Sequence, residues 1–378
     1  MIVQKLRLVH YRNYADEVFA FSPGINVICG KNAQGKTNLI ESIYLLSRGY
    51  THKSGTLQDL IGFDEAGFFV QGTVVKEGIS HRLEMKLQGK KKEVLVNGKR
   101  DARREMTART LSTILFEPDD LKIVKEGPEK RRRFMNTEIA GFKPNYGHVL
   151  KDYMKVLNQR NALLKDIRYD GTLAVMLDPW DAQLIKNGAA LMRYRVAYLH
   201  SLNQKARALH KTLSADREEL VLFYQNNVLE HLTELEHLED IFKAKLEAAR
   251  AEDIRRGATT YGPHVDDILI HLNGRDAKKY GSQGQQRTAA IALKLSQIEI
   301  YRESTGDTPV VLLDDILSEL DARRQKNILS ILGSTQAFIT CTDSSFIENF
   351  REFPIRLITI QDGCQVGEAV DEPVLNQD

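Results

Sequence analysis

Tryptophan, cysteine and long apolar runs are scarce in this chain of 378 residues, which has one tryptophan and three cysteines. Cys29, Cys341 and Cys364 are far apart and odd in number, so they suggest neither a disulfide framework nor a metal site. We expect them to be reduced core residues. No stretch reaches the ~18 to 20 apolar residues that a membrane-spanning helix requires, so no membrane partner is expected.

An excess of charge of either sign is also absent, because 53 Lys and Arg residues face 51 Asp and Glu residues. Nucleic-acid binding therefore has to be argued from local basic clusters and not from the total charge. The histidines show no HExxH or similar spacing, and no zinc site is expected. The first residues, MIVQKLRLVHYRNY, alternate like a strand and lack the apolar core of a signal peptide, so we expect a cytoplasmic protein.

The chain divides into three regions that differ in their pattern of apolar residues. Residues 1–117 are rich in short alternating runs typical of strands, with one amphipathic helix over 36–47. Residues 118–257 show long helical patterns, notably over 180–213 and 228–250. From residue 258 strands and helices alternate: strands over 268–270, 309–313, 336–340 and 355–360, and helices over 285–303 and 319–332.

This alternation predicts an α/β fold. Because 378 residues exceed what one hydrophobic core usually supports, a large insertion or a second domain is expected. The simplest assembly joins residues 1–117 and 258–378 into one head domain with mixed β-sheets around a central helix. Residues 118–257 would then form an inserted, mainly helical arm.

The segment from Gly30 to Thr37 reads GKNAQGKT, which satisfies the GxxxxGK[ST] pattern between an apolar strand and an amphipathic helix. In such a P-loop, backbone amides turn inward around phosphates and the helix N-terminus adds its dipole. Lys36 would reach the β- and γ-phosphates of ATP, and the Thr37 hydroxyl would ligate Mg²⁺. The predicted nucleotide contacts here are Gly30, Lys31, Asn32, Ala33, Gln34, Gly35, Lys36, Thr37 and Asn38.

A second chemical signal is the apolar run VVLL followed by Asp314 and Asp315. A P-loop fold needs such a strand to deliver an acid to the Mg²⁺ shell, and Asp314 fits that role. Asp315, one residue on, is placed to orient or deprotonate the attacking water, so Asp315 and Lys36 are the predicted catalytic residues. An ordinary solvated strand end is the alternative for this motif taken alone.

A third signal is the turn GSQGQQ from Gly281, directly before an apolar-periodic helix. Such a turn presents backbone amides at a helix N-terminus and is a second phosphate-binding device. The alternative is a helix start that is simply capped by Ser282. Two phosphate devices for one nucleotide predict that ATP is held in a sandwich.

With these motifs in place, the sequence resembles the RecF family of the ABC-type ATPases, a group that also includes SMC proteins. The resemblance covers essentially the whole chain and rests on seven ordered segments. They are YRNY from Tyr11, GKNAQGKTNLIESIYLLS from Gly30, FEPDDL from Phe116, KRRRF from Lys130, YGPH from Tyr261, GSQGQQRT from Gly281 and LLDDILSELD from Leu312.

The resemblance implies that Ser282, Gly284 and Gln285 contact the γ-phosphate of ATP held by a second copy, and that Asp321 lies at the dimer interface. It implies an ATP-dependent homodimer that clamps double-stranded, gapped or junction DNA in recombinational repair, recruits RecR and helps to load RecA, in the cytoplasm at the nucleoid.

Two departures from the family pattern matter. Val265 replaces the family's usual arginine, and Asp315 is shorter than the glutamate of most relatives in the wider group, which implies slow hydrolysis.

Basic residues cluster at Lys90 to Lys92, at Lys99 and Arg100 with Arg103 and Arg104, and at Lys130 to Arg133. Grouped cations bind nucleic-acid phosphates through counterion release. Aromatic residues are not interleaved with them, which favours duplex backbone over stacked single strands. The alternatives are a solvated hairpin tip for the first cluster and pairing with Asp119 or Asp120 for the last.

Two other classes of function remain open on the residues alone. A monomeric P-loop kinase or phosphotransferase would also carry GKNAQGKT, but it leaves the GSQGQQ and SELD segments without a purpose. The ATPase subunit of a transporter is the other possibility, and it would need a membrane partner.

Overall fold

The structure, a computed structural model, describes residues 1–51, 53, 55–102, 105–317, 320–343 and 353–371. Contacts divide the chain into two compact units. The first unit comprises Met1–Asp120 and the described residues from Tyr301 onward, and the second comprises Leu121–Ile300. No helix among the described residues is both long enough and apolar enough to cross a bilayer.

The strands are β1 Ile2–Tyr11, β2 Tyr14–Ala20, β3 Ile25–Cys29, β4 Gly67–Lys76, β5 Ile79–Gln88, β6 Lys91–Val96, β7 Lys99–Arg100, β8 Thr113–Phe116, β9 Leu220–Gln225, β10 Asp267–Leu272, β11 Arg275–Asp276, β12 Val310–Leu313, β13 Ala337–Cys341, β14 Ile355–Gln361 and β15 Cys364–Asp371. The α-helices are α1 Lys36–Arg48, α2 Glu105–Thr110, α3 Lys122–Lys125, α4 Pro128–Phe142, α5 Pro144–Ile167, α6 Leu177–Leu213, α7 Leu238–Arg256, α8 Ala277–Tyr280, α9 Gln283–Thr305 and α10 Ala322–Leu332.

Two six-stranded sheets form the first unit in the described part of the chain. One is antiparallel, in the order β2-β1-β4-β5-β6-β7, and the other has the order β15-β14-β3-β13-β12-β8. In the second sheet β3 runs parallel to both β13 and β14, while β15 is antiparallel to β14. The carboxyl ends of β3, β12 and β13 therefore share one edge, where open α/β sheets place their ligands.

Helix α1 contacts strands of both sheets, including β4, β8 and β12. Its apolar residues Leu39, Ile40 and Ile43 are fully buried and share one core with residues of both sheets, such as Leu6 and Phe338. The predicted amphipathic helix and the prediction of mixed β-sheets around it are thus confirmed. The apolar period of 3.6 residues determines which face of α1 is buried.

The second unit is mainly helical, with long helices α5, α6 and α7 packed together and a three-stranded sheet in the order β11-β10-β9. Two sequence expectations are wrong here. Residues 220–225 form strand β9 in a region predicted to be helical, because Leu220 and Leu222 pack inward while β9 pairs with β10. Strand β10 accordingly joins this small sheet instead of the sheet that carries β3.

The helix predicted over 228–250 begins later, at Leu238, because the preceding residues are committed to other bonds. The side-chain oxygen of Asn226 accepts hydrogen bonds from the backbone amides of Val228 and Leu229, at 3.0 and 2.7 Å. This side-chain capping competes with helix formation. The helix predicted over 180–213 is confirmed as α6.

The unit boundaries differ from those predicted from the sequence. Contacts place residues 258–300 with the second unit, whereas the sequence assigned them to the head. The division into a head of 1–117 and 258–378 and an arm of 118–257 stays a prediction about functional domains.

The cluster at Lys130 to Arg133 lies at the start of α4, and the partner of Arg131 is neither Asp119 nor Asp120. The Arg131 guanidinium donates two hydrogen bonds to the Asp267 carboxylate, at 2.6 and 2.8 Å, and both side chains are buried. Arg132 donates to the backbone oxygen of Asp266. Arg131 therefore stabilises the second unit and is not exposed for nucleic-acid contact.

Replacing Arg131 with alanine should destabilise the protein by about 3–5 kcal/mol, because the buried Asp267 carboxylate would lose its counter-charge. The matched control is Arg193→Ala. Arg193 makes the same two-bond pair with Glu239, but both side chains are more than 40% exposed, at 43% and 45%. That change should cost less than about 1 kcal/mol. Chemical denaturation of both variants measures the difference; equal losses would contradict the argument from burial.

Candidate functional site

The P-loop leaves the carboxyl end of β3 through backbone conformations that restrict the residue type. Gly30 and Gly35 have φ values of +156° and +118°. A Cβ atom on Gly30 would lie 2.4 Å from the backbone oxygen of Ile360 on β14, so no other residue fits without moving that strand. Ala33 is also left-handed, at φ +65°. The loop is therefore closely fitted to its neighbours.

Two turns hold the loop from outside. Asn13, between β1 and β2, donates from its amide to the backbone oxygen of Gln34 at 3.0 Å, and the Tyr14 hydroxyl donates to that of Gly35 at 2.9 Å. From the β14–β15 turn, the Asp362 amide donates to the Gln34 side chain at 2.6 Å and the Gly363 amide to its backbone oxygen at 3.1 Å. These hydrogen bonds hold both the backbone and the side chain of Gln34, so its side chain supports the loop.

Lys36 begins α1 and folds back over the loop. Its ammonium group donates to the backbone oxygens of Gly30 and Lys31, at 2.6 and 2.8 Å. The first turn of α1 has no acidic residue, so the positive end of the helix dipole is not neutralised there. An ammonium group and a helix N-terminus at one point suit a phosphate.

A hydroxyl–carboxylate cluster lies next to the lysine. The Thr37 hydroxyl donates to Asp314 at 2.9 Å, and the Thr340 hydroxyl donates to the same carboxylate oxygen at 3.0 Å. Thr340 also accepts the amide hydrogen bond of Asp315 at 2.8 Å, and so holds the left-handed Asp315 backbone. Burial raises the pKa of Asp314, and its hydrogen bonds to the two threonines act in the opposite direction.

These groups surround a pocket of about 300 Å³. It is lined by Asn32, Ala33, Gly35, Lys36, Thr37, Asn38, Asp314, Asp315, Thr340 and Thr342. A polar lining with an ammonium group at one side and a threonine–aspartate pair at the other fits a phosphate and Mg²⁺, which prefers oxygen ligands. Thr37 and Asp314 would hold the metal, which would neutralise phosphate charge when bound.

Most of the predicted P-loop residues line this pocket, while Gly30, Lys31 and Gln34 support it through backbone and side-chain hydrogen bonds. Thr340 was missed by sequence reasoning, although it ends the strand predicted over 336–340. A polar residue at that point of an apolar strand was the available signal. Thr342 also lines the pocket.

The turn GSQGQQ lies in the second unit, at the start of α9. Ser282 and Gln285 form a reciprocal capping box: the Ser282 amide donates to the Gln285 side chain at 2.8 Å and the Gln285 amide to the Ser282 hydroxyl at 3.3 Å. Gln285 also donates to Glu218 at 2.9 Å. A Cβ on Gly284 would meet nothing within 4 Å. Ser282 therefore does cap the start of α9, as the alternative interpretation of this turn expected. The predicted phosphate contact of Ser282, Gly284 and Gln285 stays a prediction.

Asp321 does not line the pocket. It is the N-cap of α10, where its carboxylate accepts from the Arg324 amide at 3.0 Å and pairs with the Arg324 side chain. Its predicted place at a dimer interface remains a prediction. Val265, which stands where arginine is usual, is 43% exposed.

The prediction that all three cysteines are core residues is wrong for one of them. Cys29 and Cys341 are buried, but Cys364 is exposed at the start of β15. Cys29 and Cys341 are direct partners in the pairing of β3 with β13, although they are far apart in sequence.

Residues 2–365 match the family model of the RecF/RecN/SMC N terminal domain. The DNA replication and repair protein RecF of Lachnoclostridium phytofermentans is 40% identical over 351 residues, which are 92% of this chain and 95% of that protein. RecF of Bacillus subtilis is 37% identical over 369 residues, covering 97% of this chain and all of that protein, 100%.

Solved structures of RecF and of an Smc head are also similar to this chain. The recombination mediator protein RecF-ATPrS of the RecFOR pathway superposes with a TM-score of 0.88 at 35% identity, covering 98% of this chain and 97% of that one. An Smc head domain from Pyrococcus furiosus has a TM-score of 0.57 at 16% identity, covering 98% and 96%, and is similar in fold alone.

The fold and the pocket together define an ABC-type P-loop ATPase head with a helical insertion. Identity and TM-score are higher with the RecF structure, at 35% and 0.88, than with the Smc head, at 16% and 0.57. The chain belongs to the RecF family.

Thr340→Val should remove most of the Mg²⁺-dependent part of ATP affinity, roughly tenfold or more, because hydrogen bonds to charged groups contribute about 1.5–3 kcal/mol. Thr340→Ser keeps the hydroxyl and should keep the affinity. Titration with a fluorescent ATP analogue, with Mg²⁺ and with EDTA, measures this. Thr335→Val is the control, because the buried Thr335 hydroxyl donates to the backbone oxygen of Leu332, outside the pocket. An unchanged Mg²⁺ dependence in Thr340→Val would contradict the assignment.

Proposed function

We propose that this chain is an ATP-dependent DNA-binding protein of recombinational repair, in which ATP and Mg²⁺ drive two copies together around DNA. The observation that carries the nucleotide part is the Thr37–Asp314 hydrogen bond of 2.9 Å beside the Lys36 ammonium group. The repair part is supported by family membership and by relatives described as DNA replication and repair proteins of the RecFOR pathway.

We infer a homodimer because the chain carries two separate phosphate-binding features, each of which would hold only one side of a nucleotide. The pocket is lined by residues of the first unit alone, on one side of where a triphosphate would lie. The turn at Ser282, exposed at the start of a helix of 23 residues, offers backbone amides and a helix dipole with no acidic residue in its first turn. A second copy would bring this turn onto the γ-phosphate, so that each nucleotide is held by both chains.

Hydrolysis would reset the dimer. Asp315 is exposed at the pocket and its backbone is held by Thr340, which supports a role for its carboxylate in accepting a proton from a water that attacks the γ-phosphate. Its side chain is one methylene shorter than glutamate. We expect slow turnover, which suits a switch that has to remain closed on DNA.

For the DNA contact we propose the edge of the antiparallel sheet formed by β6 and β7. Lys90 and Lys91 are exposed at one end of β6, and Lys99 and Arg100 of β7 are exposed beside the other end, where they pair with Val96 and Leu95. About five residues of strand separate the two pairs by roughly 17 Å, which matches about five phosphates along one DNA strand. Lys92 donates to the backbone of Gly49, and Arg103 and Arg104 lie outside the described residues.

Recruitment of RecR, assistance in loading RecA and a position at the nucleoid in the cytoplasm belong to the same proposal. They are supported by the RecFOR pathway named for the solved RecF structures and by the resemblance of the whole chain. Gapped DNA and junctions between single and double strands are the substrates we expect.

An Asp315→Asn variant should form a dimer with ATP and Mg²⁺ and persist as one, because binding is retained while hydrolysis is blocked. Adding Gly284→Asp should prevent that dimer. The new carboxylate has room in the monomer and suits a helix N-terminus, but it would repel the γ-phosphate. Light scattering at saturating nucleotide measures the mass.

The matched control is Gly171→Asp, at an exposed glycine of the second unit where a Cβ also meets nothing within 4 Å. It should dimerise normally. Lys36→Ala should abolish nucleotide binding, whereas Gly284→Asp should leave the monomer's binding intact. A persistent monomer of Asp315→Asn, or loss of monomer binding in Gly284→Asp, would rule out the sandwich.

Removing two cations from the proposed edge should weaken duplex binding and flatten its salt dependence. Each phosphate contact contributes about 0.9 to the slope of log K against log salt, so Lys90→Ala with Lys91→Ala should lower the slope by up to about 1.8. Lys99→Ala with Arg100→Ala should do the same. Fluorescence anisotropy with labelled duplex, in ATP and Mg²⁺ at several salt concentrations, measures both.

Lys151→Ala with Lys155→Ala is the control, because it removes the same charge from exposed positions of α5. Its slope should equal that of the unchanged protein. Equal slopes in all three double variants would place the DNA elsewhere.

A further inference from the structure

Two thiols meet directly beneath the P-loop. Cys29 is the last residue of β3 and Cys341 the last of β13, and the parallel pairing places them opposite each other. Neighbouring strands lie about 4.8 Å apart, within the Cα separation of about 4.4–6.8 Å that a disulfide spans. Because they are in register, both side chains point to the same face of the sheet, where the thiols are within hydrogen-bonding reach.

The pair has the properties of a reactive site. The contact with Cys341 lowers the pKa of Cys29 to about 7, while it raises the pKa of Cys341. A thiolate is the nucleophilic form of cysteine, so the lowered pKa makes Cys29 the nucleophile of the pair. The two side chains keep 7% and 8% of their surface exposed, whereas Ile28 and Phe338 on the same strands are fully buried. A small oxidant can therefore reach the strand ends.

We propose that Cys29 and Cys341 are a reversible oxidation site at which a peroxide forms a disulfide between β3 and β13 and thereby disables the P-loop. The Cys29 thiolate attacks one peroxide oxygen and breaks the O–O bond, which gives a sulfenic acid and, after protonation, water or an alcohol. The Cys341 sulfur then attacks the sulfenic sulfur, its proton leaves with the hydroxide as water, and the S–S bond forms. Two thiols are oxidised and one peroxide is reduced. A dithiol reverses the bond.

The disulfide would act on both halves of the pocket. It joins the ends of β3 and β13 covalently and draws the two side chains closer together than two thiols can approach. Gly30 follows Cys29 and has no room, since its Cβ position is 2.4 Å from the Ile360 oxygen. Thr340 precedes Cys341 and holds both Asp314 and the Asp315 amide. A shift at either end therefore displaces the phosphate loop or the metal-binding carboxylate.

The experiment treats the full chain with a small excess of hydrogen peroxide, blocks remaining thiols and digests it for mass spectrometry. We expect a linked peptide pair that joins Cys29 to Cys341 and disappears with dithiothreitol. In parallel, affinity for a fluorescent ATP analogue with Mg²⁺ should fall by at least about tenfold and recover on reduction. Cys341→Ser, or Cys341→Ala if serine lowers the melting temperature, should abolish both effects.

Cys364→Ser is the matched control, because Cys364 is exposed and lies outside the pair. It should respond like the unchanged protein. Absence of the linked peptide overturns the oxidation site, and a linked peptide without loss of affinity overturns its effect on the P-loop. The effect on affinity rests on the proposed function, but the cross-link does not. If the reduced protein binds no nucleotide, the proposed function fails, while the mass measurement still decides the oxidation site.

Discussion

A single hydrogen bond of 2.9 Å, from Thr37 to Asp314, joins positions 277 residues apart and sets the conditions for the rest of the structure. It can form only if β3 and β12 end at the same edge of one sheet. That requires both ends of the chain to pair, with β13 between them. The entire second unit is contained in the loop that this pairing closes. Because closure entropy grows only slowly with loop length, a large insertion is tolerated at this point.

An ion pair between Arg12 and the buried Glu41 holds the turn next to the site. Glu41 of α1 is fully buried, and Arg12 donates to its carboxylate from two nitrogens, with Thr51 as a third donor at 2.6 Å. Arg12 thus fixes the β1–β2 turn, from which Asn13 reaches the P-loop. Such fully satisfied networks add little net stability but allow one arrangement of the turn. The loop is held in its shape by its neighbours before any ligand arrives.

The first unit was largely predictable, because its signals are local. A P-loop pattern, an apolar strand before it and a period of 3.6 residues after it are contained in residues 25–47 and lead to β3 and α1. Pairings over long distances were not predictable in this way. Strand β9 was missed because a short apolar run is ambiguous until its partner β10 is known, and the Arg131–Asp267 pair joins positions 136 residues apart.

In the site, too, residues that belong to local motifs were predictable and residues brought together by strand pairing were not. Sequence located Lys36, Thr37 and Asp314, since each belongs to a motif with a chemical reason. Thr340 carries two hydrogen bonds that orient Asp314 and Asp315, yet a threonine at the end of an apolar strand has no motif of its own. Cys29 and Cys341 become a pair only through the register of β3 and β13.

The capping box at Ser282 bears on how one short turn can serve two purposes. The Ser282 hydroxyl and the Gln285 amide group satisfy backbone groups of their own turn, so these side chains keep the start of α9 rigid. A rigid turn loses little entropy when a partner's phosphate arrives. The open surface at Gly284 then becomes the important feature, because it lets the phosphate approach the remaining backbone amides closely. A cap and the proposed phosphate contact are therefore compatible at this turn.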